Sequence, residues 1–255
     1  MMKNTVTKKK LAFIKKLAQK KYRKLHNAFV ASGAKTVLAL LTSSAYSPSY
    51  IIATPAFTKQ YPEIASQYEN IWHIAPAAQY KAADTLSTNP TLLAVFACKT
   101  LAVPYLTTRD RMLILDNIGN PGNLGTLVRV ADWYGIKDII ASPTTVDCYN
   151  PKVIQASMGA IAHVNVHYTP LLPYLQHAKA GQIPIIGGVL RGANLYQTTL
   201  PQYGGLLIGN EAIGIDKSLR SYIQYPVTIP AVGQAESLNA AIAGAILCDH
   251  WQRVI

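Results

Sequence analysis

The chain has 255 residues, 50% of them hydrophobic, so it can form one large or two modest domains and is not intrinsically disordered. Its formal net charge is +12, and the excess lies at one end: residues 1–62 contain twelve lysines or arginines and no acidic residue, whereas the remainder carries twelve of each sign. This asymmetry favours a polyanionic partner or an anionic membrane surface.

Three widely spaced cysteines, Cys98, Cys148 and Cys248, form no CxxC pair and have no metal-ligand spacing, so no metal site is predicted. They are typical of buried thiols in a reducing compartment. No apolar run approaches the roughly 18 residues of a membrane span. The lysine-rich start differs from a mitochondrial presequence, which favours arginine and serine, and its apolar core is too short for a secretory signal. A cytoplasmic protein is therefore expected.

The first predicted domain covers residues 1–106. It begins with a basic amphipathic helix, in which Leu11, Ile14 and Leu17 recur at helical spacing beneath the lysines. Helices follow near residues 34–41 and 62–70, and strands at residues 49–54 and 91–97. The alternation predicts a small α/β sandwich, and the polar, proline-containing residues 104–111 form the predicted linker.

The second predicted domain covers residues 107–255 and alternates strands with helices. Its predicted strands are residues 112–116, 138–141, 162–167, 184–189, 205–208 and 225–229. Its predicted helices are residues 124–134, 151–159, 170–180, 216–222 and 237–252. This order predicts a mostly parallel sheet that is covered by helices on both faces.

A glycine-rich loop, NIGNPGNLG (residues 117–125), separates the first of these strands from a helix. Small residues at such a place let backbone N–H groups approach a ligand at the helix N-terminus. The glycines at 119, 122 and 125 do not match the dinucleotide fingerprint, and no Gly-Lys-Ser/Thr follows, which excludes a P-loop. Arg129 lies one turn beyond Gly125 and, taken alone, would be interpreted as a surface arginine.

Two later segments also place polar residues after predicted strands. In GNEAIG (residues 209–214), a sharp loop presents Glu211, and its glycines indicate close approach of a ligand to the backbone. In IPAVGQAESLN (residues 229–239), Ser237 is a candidate N-cap of an alanine-rich helix, whereas Asn239 has no evident structural role. The small residues of this helix also permit close approach of another subunit.

These three segments together resemble the three motifs of the SpoU (TrmH-like) RNA ribose methyltransferases. The matching patterns are Asn123-x-Gly125-x-x-x-Arg129, Gly209-Asn210-Glu211-x-x-Gly214 and Pro230-x-x-Gly233-x-x-x-Ser237-Leu238-Asn239. Residues 149–161 resemble the family's segment between the first and second motifs, and residues 20–33 resemble the opening of its substrate-binding domain. The resemblance covers nearly the whole chain after the first ten residues and is strongest over residues 112–250.

The resemblance implies an α/β protein with a C-terminal SPOUT domain, whose chain end forms a deep trefoil knot, and a small N-terminal ribosomal-protein-like domain that binds RNA. It also implies S-adenosylmethionine as cofactor, a homodimer, no membrane partner and 2′-O-methylation of RNA ribose. The N-terminal domain favours ribosomal RNA over transfer RNA as substrate.

The resemblance also assigns residues to roles by motif position. The implied catalytic residues are Arg129, Glu211, Ser237, Asn239 and Asn123. The implied cofactor-binding residues are Gly188, Gly209, Ile229 and Leu238. The basic start supplies the predicted RNA-binding residues Lys20, Lys21, Arg23 and Lys24.

Two positions depart from the family pattern. Ala212 stands where many relatives have glycine, which would slightly alter the cofactor loop, and Gln155 stands where many have arginine, which would weaken a phosphate contact. Three alternatives stay open: a non-catalytic RNA-binding relic of the same fold, a nucleotide-dependent oxidoreductase, and membrane association through the basic helix. The retained polar site residues disfavour the relic, and the glycine spacing disfavours the oxidoreductase.

Overall fold

A computed structural model describes residues 6–81 and 91–253; the predicted domains also include residues 1–5, 82–90 and 254–255, which lie outside this range. The chain divides into a first unit, Met1–Thr100 with Asp147–Ala162, and a second unit, Leu101–Val146 with His163–Ile255. This division differs from the predicted boundary at residue 106 in two places. Leu106 is buried in the core of the second unit, and residues 147–162 pack with the first. Within the described ranges, no helix is long and apolar enough to cross a bilayer.

The secondary structure follows the predicted alternation. The helices are α1 (Lys8–Lys16), α2 (Lys20–His26), α3 (Ala34–Thr42), α4 (Pro55–Gln60), α5 (Pro62–Gln67), α6 (Ala77–Lys81), α7 (Pro121–Trp133), α8 (Pro151–Ser157), α9 (Leu171–Ala180) and α10 (Ala240–Gln252). The strands are β1 (Ala28–Ser32), β2 (Pro48–Ala53), β3 (Trp72–Ile74), β4 (Leu92–Ala97), β5 (Arg111–Leu115), β6 (Asp138–Ala141), β7 (Asn165–Tyr168), β8 (Ile185–Asn194), β9 (Gly204–Ile208) and β10 (Tyr225–Thr228). Residues 217–222, predicted as an α-helix, form a 3₁₀ helix.

The first unit contains a mixed four-stranded sheet in the order β1-β4-β2-β3. Strand β4 is antiparallel to β1 and β2, and β2 is parallel to β3. The predicted basic helix is two helices, α1 and α2, and its apolar residues Ile14 and Leu17 are buried in the same core as Leu93 and Val95. The amphipathic pattern therefore leaves the lysines outside and the aliphatic residues inside.

Arg23, predicted to bind RNA, is instead a buried structural residue. Its Nε and Nη2 donate to one carboxylate oxygen of Asp147 at 2.9 and 2.7 Å, and its Nη1 donates to the carbonyls of Leu17 and Ala18 at 2.9 and 2.8 Å. Its side chain is only 4% exposed. A guanidinium engaged on all three nitrogens is not available to a ligand, so this assignment is corrected. Lys20, Lys21 and Lys24 are exposed.

Truncation of Arg23 should therefore destabilise the protein rather than weaken RNA binding alone. We expect Arg23→Ala to lower the free energy of unfolding by about 2 kcal/mol, because it leaves Asp147 and two carbonyl groups without their partner. Urea denaturation would measure this loss. The exposed neighbour Lys24 provides the control, since Lys24→Ala should change stability by less than about 0.5 kcal/mol. Equal stability of the two variants would contradict the structural role.

Segment 147–162 is held in the first unit by aromatic and polar contacts. The ring of Tyr149 stacks on Phe29 with centroids 4.5 Å apart, and its hydroxyl accepts from the backbone N–H of Lys99 at 2.9 Å. Tyr46 donates its hydroxyl to the carbonyl of Ile161 at 3.1 Å. Burial raises the pKa of Tyr149 above its usual value, so this hydroxyl stays protonated and serves packing. Residues far along the sequence thus complete the first unit.

The second unit contains a six-stranded sheet in the order β10-β8-β9-β5-β6-β7. Every neighbouring pair is parallel, which confirms the predicted parallel sheet and the α/β class. The central positions of its inner strands are apolar: Ile114, Ile140 and Leu207 are completely buried. Continuous apolar strands are expected where helices cover both faces of a sheet.

Strand β8 contains a large bulge at the edge of this sheet. Pro226 and Val227 are consecutive in β10, but they pair with Gly187 and Ala193 of β8. Residues 188–192 are therefore looped out of the pairing. We call these residues the β8 bulge. A Cβ atom at Gly192 would lie 2.6 Å from the carbonyl oxygen of Pro226, so glycine is needed there. Bulges of this kind redirect side chains and are frequent beside functional sites.

Candidate functional site

A cavity of about 720 Å³ opens in the second unit at the carboxyl ends of its strands. It is lined by three segments: the β8 bulge, the loop that follows β9, and the residues from the end of β10 to the start of α10. Strands of a parallel sheet direct their carboxyl ends to one edge, where α/β proteins bind ligands. The volume is within the range of small-molecule sites.

Two glycines bring bare backbone to the cavity. A Cβ atom at Gly209 would lie 2.4 Å from the carbonyl carbon of Gly214 and from the backbone nitrogen of Ile215. A Cβ atom at Gly188 would lie 2.7 Å from Cδ1 of Leu247. Backbone atoms therefore exclude a side chain at Gly209, whereas at Gly188 the close contact is with the end of the flexible Leu247 side chain. Both glycines lie in the cavity wall, where no side chain of their own covers the main chain.

Asn210 determines the shape of the loop after β9. Its Oδ1 accepts from the backbone N–H groups of Ala212 and Ile213 at 2.8 and 3.2 Å, and its Nδ2 donates to the carbonyl of Asn117 at 2.9 Å. This amide therefore joins the loop that carries Glu211 to the loop before α7. Ala212, which replaces the glycine of many relatives, is exposed. Its backbone N–H still donates to Oδ1 of Asn210.

Three polar side chains from the three predicted motifs form a hydrogen-bonded chain, which we call the amide relay. Nδ2 of Asn239 donates to Oδ1 of Asn123 at 2.8 Å. Nδ2 of Asn123 in turn donates to Oε1 of Glu211. Asn123 is only 8% exposed, so its amide needs both partners.

Asn239 is the N-cap of α10, a structural role that the sequence pattern assigned to Ser237. Its Oδ1 accepts from the backbone N–H groups of Ala241 and Ile242 at 2.9 and 3.3 Å, so the helix begins at Ala240 rather than at Ser237. Because the cap occupies the oxygen, only Nδ2 is left to face Asn123. The helix terminus thereby sets the direction of every hydrogen bond in the amide relay, and Glu211 is held as an acceptor.

The structure brings most of the predicted site residues together. All four residues predicted to bind cofactor, Gly188, Gly209, Ile229 and Leu238, line the cavity. Of the predicted catalytic residues, Glu211 and Ser237 also line it, and Asn123 and Asn239 join Glu211 through the relay.

Arg129 does not line the cavity. It is exposed on α7 and makes no hydrogen bond or ion pair with any residue that the structure describes. Four residues later on the same helix, Trp133 is 83% exposed. Residues four apart share a helix face, so this surface carries a free cation beside a large aromatic ring.

Residues 110–249 match the model of the SpoU rRNA Methylase family, which is more than half of the chain. The chain belongs to the SpoU family. A solved TrmH-family structure from Porphyromonas gingivalis is 32% identical, has a TM-score of 0.85 and matches 98% of this chain and 99% of its own. The predicted family is confirmed.

Curated relatives of this SpoU-family protein are matched over a part of their length. The 23S rRNA guanosine 2′-O-methyltransferase RlmP of Bacillus subtilis is 35% identical over 57% of this chain and 59% of its own. The 23S rRNA guanosine 2′-O-methyltransferase RlmB of Neisseria meningitidis is 32% identical over 56% of this chain and 58% of its own. The chain thus spans somewhat more than half the length of these relatives.

Three charged residues of the cavity in this SpoU-family protein were missed by the sequence analysis. Arg191, Arg220 and Glu236 all belong to its lining. Arg191 lies just after the predicted strand of residues 184–189, where no motif marks it. The β8 bulge brings Arg191 to the cavity, and the hydrophobic periodicity of the sequence does not predict this bulge.

Burial shifts the pKa values of several titratable groups outside the cavity lining. Burial raises the pKa of the Cys98 thiol to about 11 and that of Cys248 to about 12, so both remain protonated at neutral pH. Burial also raises the pKa of Asp116, although the backbone N–H of Asp216 donates to it at 2.8 Å. Among the residues with described positions, no three His, Cys, Asp or Glu side chains form a metal-binding group.

Proposed function

We propose that this SpoU-family protein transfers a methyl group from S-adenosylmethionine to a ribose 2′-hydroxyl of RNA, with ribosomal RNA as the favoured substrate. The observation that carries the proposal is that the predicted cofactor residues, Glu211 and Ser237 all line the same cavity. The named activities of RlmP and RlmB, on guanosine in 23S rRNA, support it. A Streptomyces viridochromogenes relative is named for uridine, so the target nucleotide is left open.

The cavity fits S-adenosylmethionine in size and in chemistry. Gly188 and Gly209 would offer main-chain groups to the cofactor, and Ile229 and Leu238 would supply an apolar wall beside it. When bound, this cofactor supplies an electrophilic methyl group on a sulfonium. An AdoMet-bound rRNA methyltransferase from Sinorhizobium meliloti has the same fold, with a TM-score of 0.86 at 22% identity.

RNA as the substrate is supported by exposed cations in both units. In the first unit, Lys20, Lys21 and Lys24 lie on α2 with no acidic residue before Glu63. In the second unit, Arg129 has no ionic or hydrogen-bonding partner among the described residues and shares a helix face with the exposed ring of Trp133. Cations that neutralise phosphates and aromatic rings that stack on bases are the usual means of binding single-stranded RNA.

Arg129 and Glu211 have different proposed roles in the reaction. A ribose hydroxyl is a weak acid, so an alkoxide that develops on its oxygen needs stabilisation. An arginine stays protonated in proteins, and for that reason we assign Arg129 to binding the ribose or its phosphate rather than to removing the proton. Glu211, fixed by the amide relay, orients the groups at the cavity rim.

Substitution of Asn239 with aspartate would separate capping from the relay. The carboxylate can still cap α10, so we expect a change in unfolding free energy below about 0.5 kcal/mol. The aspartate side chain cannot donate to Oδ1 of Asn123. The amide of Asn123 would therefore turn over and place its oxygen, instead of its nitrogen, next to the carboxylate of Glu211. We therefore expect methyl transfer to fall about tenfold, the equivalent of one charge-assisted hydrogen bond. Single-turnover assays and urea denaturation would measure the two quantities.

The matched control is Asn239→Ala, which removes both functions. It should lose about 1 kcal/mol of stability together with activity. Full activity of Asn239→Asp would show that the relay has no part in the reaction.

The homodimer, the trefoil knot and the cytoplasmic location also belong to this proposal. Around the cavity, Leu190, Ile213, Val232 and Ile242 are 53–103% exposed, which supports coverage by a second copy. Strand β10 follows β9 in the chain but pairs with β8 on the side away from β9, which supports the crossing that a knot needs. The three cysteines, all at described positions, form no disulfide, in keeping with a reducing compartment. Light scattering of the purified protein would measure the mass of the assembly.

Calorimetry followed by RNA mapping would test the function. We expect S-adenosylmethionine to bind and NAD not to bind, and a strain without this gene to lose 2′-O-methylation at a defined ribosomal RNA site. Binding of neither cofactor would favour the non-catalytic relic, and binding of NAD would favour the oxidoreductase. Cofactor binding without any lost methylation in total RNA would contradict the catalytic role.

A further inference from the structure

Four charged side chains line the cavity, and we consider which of them could bind an anionic group of a ligand. Three are poorly suited, because two are negatively charged and one already has a hydrogen-bond partner. Glu211 accepts from Asn123, and Glu236 is acidic. Nε of Arg220 donates to the carbonyl of Ile215 at 3.0 Å, which ties this arginine to its own loop. Arg191 forms no hydrogen bond or ion pair with the described residues. It is therefore the cavity cation with its full guanidinium free.

Arg191 is also presented by a fixed piece of backbone. It lies in the β8 bulge, between Leu190, whose carbonyl accepts from Oγ1 of Thr228 at 3.3 Å, and Gly192, which packs directly on Pro226. The bulge is thus attached to β10 on both sides of the arginine. Arg191 is exposed, and a charged side chain on a braced bulge in a cavity wall is available to a ligand.

We propose that Arg191 binds the α-carboxylate of S-adenosylmethionine and makes the cavity selective for cofactors that carry this group. The inference rests on the proposed function and adds a specificity residue outside the three motifs. The carboxylate is the only anionic group of S-adenosylmethionine, since its amino and sulfonium groups are cationic and its adenosine is neutral. Arginine pairs with a carboxylate through two parallel hydrogen bonds, which a lysine cannot reproduce.

Titration calorimetry with two ligands isolates this contact. The full-length protein and Arg191→Gln are each titrated with S-adenosylmethionine and with decarboxylated S-adenosylmethionine, which lacks only the carboxylate. We expect the wild-type protein to prefer the complete cofactor by about tenfold, as for one hydrogen-bonded charge pair. In Arg191→Gln, affinity for the complete cofactor should fall by about the same factor, and affinity for the decarboxylated one should not change.

Two further variants complete the design. Arg191→Lys keeps the charge without the planar fork and should retain about a third of the preference. Lys217→Gln removes an exposed cation outside the cavity lining and should bind both ligands as the wild type does. Thermal melting would show that all variants are folded.

Each contrary result has a distinct meaning. Equal weakening of both ligands in Arg191→Gln would overturn the carboxylate contact and indicate a structural role. Unchanged cofactor binding with weaker RNA binding would overturn it in favour of a phosphate contact. Loss of the preference in Arg220→Gln but not in Arg191→Gln would move the contact to Arg220 and overturn the assignment. A wild-type protein that binds neither ligand would overturn the proposed function itself.

Discussion

Replacement of Arg129 with lysine is expected to lower methyl transfer about 100-fold at saturating RNA and S-adenosylmethionine. Removal of one preorganised donor that stabilises a developing oxyanion typically has an effect of this size. Arg129 is exposed and unpaired within the described residues, so its side chain supports nothing in the fold. Lysine keeps the positive charge but has no bidentate fork for ribose or phosphate. The loss should therefore appear in turnover.

Separate measurements of binding and turnover would test this expectation. Cofactor affinity, measured by calorimetry, should remain that of the wild type, because Arg129 does not line the cavity. Arg109 is another exposed arginine of the second unit, and Arg109→Lys should leave turnover unchanged. Turnover of Arg129→Lys close to the wild-type value would show that a point charge suffices and would refute the assigned role.

Addition of one methyl group at Gly209 is expected to reduce affinity for S-adenosylmethionine at least about 100-fold, since a backbone shift in the cradle removes several contacts at once. In Gly209→Ala the new Cβ atom would lie 2.4 Å from the backbone of both Gly214 and Ile215. Backbone atoms cannot rotate away as a flexible side chain can. The loop that carries Glu211 must therefore move, and the cavity wall moves with it.

Calorimetry and circular dichroism would distinguish a displaced loop from an unfolded protein. Gly233→Ala provides the matched control, because a Cβ atom at that glycine meets no atom within 4 Å. The control should bind the cofactor normally. If Gly209→Ala bound S-adenosylmethionine with wild-type affinity, this glycine could not belong to the cofactor cradle.

The candidate site could be predicted from the sequence to the extent that its residues lie in motifs. The resemblance to the SpoU motifs implies site roles for Gly209, Glu211 and Leu238, and each lines the cavity. The interpretation of Asn239 was incomplete, because which residue caps a helix depends on where the backbone turns into it. Arg191 escaped prediction because the predicted strand ends at residue 189 and no motif marks the residues after it, whereas the bulge depends on pairing with β10.

The basic start shows a different limit of sequence reasoning. Arg23 is one of many cations in a row, and its neighbours Lys20, Lys21 and Lys24 are exposed as expected. Its partner Asp147 lies 124 residues away in the chain, and no local pattern indicates such a pair. Burial of a charge is decided by its long-range partner, and composition cannot reveal this.

Residue order alone was sufficient for the α/β class, the parallel sheet and the SpoU family, because alternation of apolar segments and motif spacing are local properties of the chain. The folded chain was needed for three other findings: the direction of the amide relay, the burial of Arg23 and the position of Arg191 in the cavity wall. Each depends on atoms that are distant in sequence and become neighbours only when strands and loops pack. Hydrogen-bond partners and burial, which control what a polar side chain can do, are set by that packing.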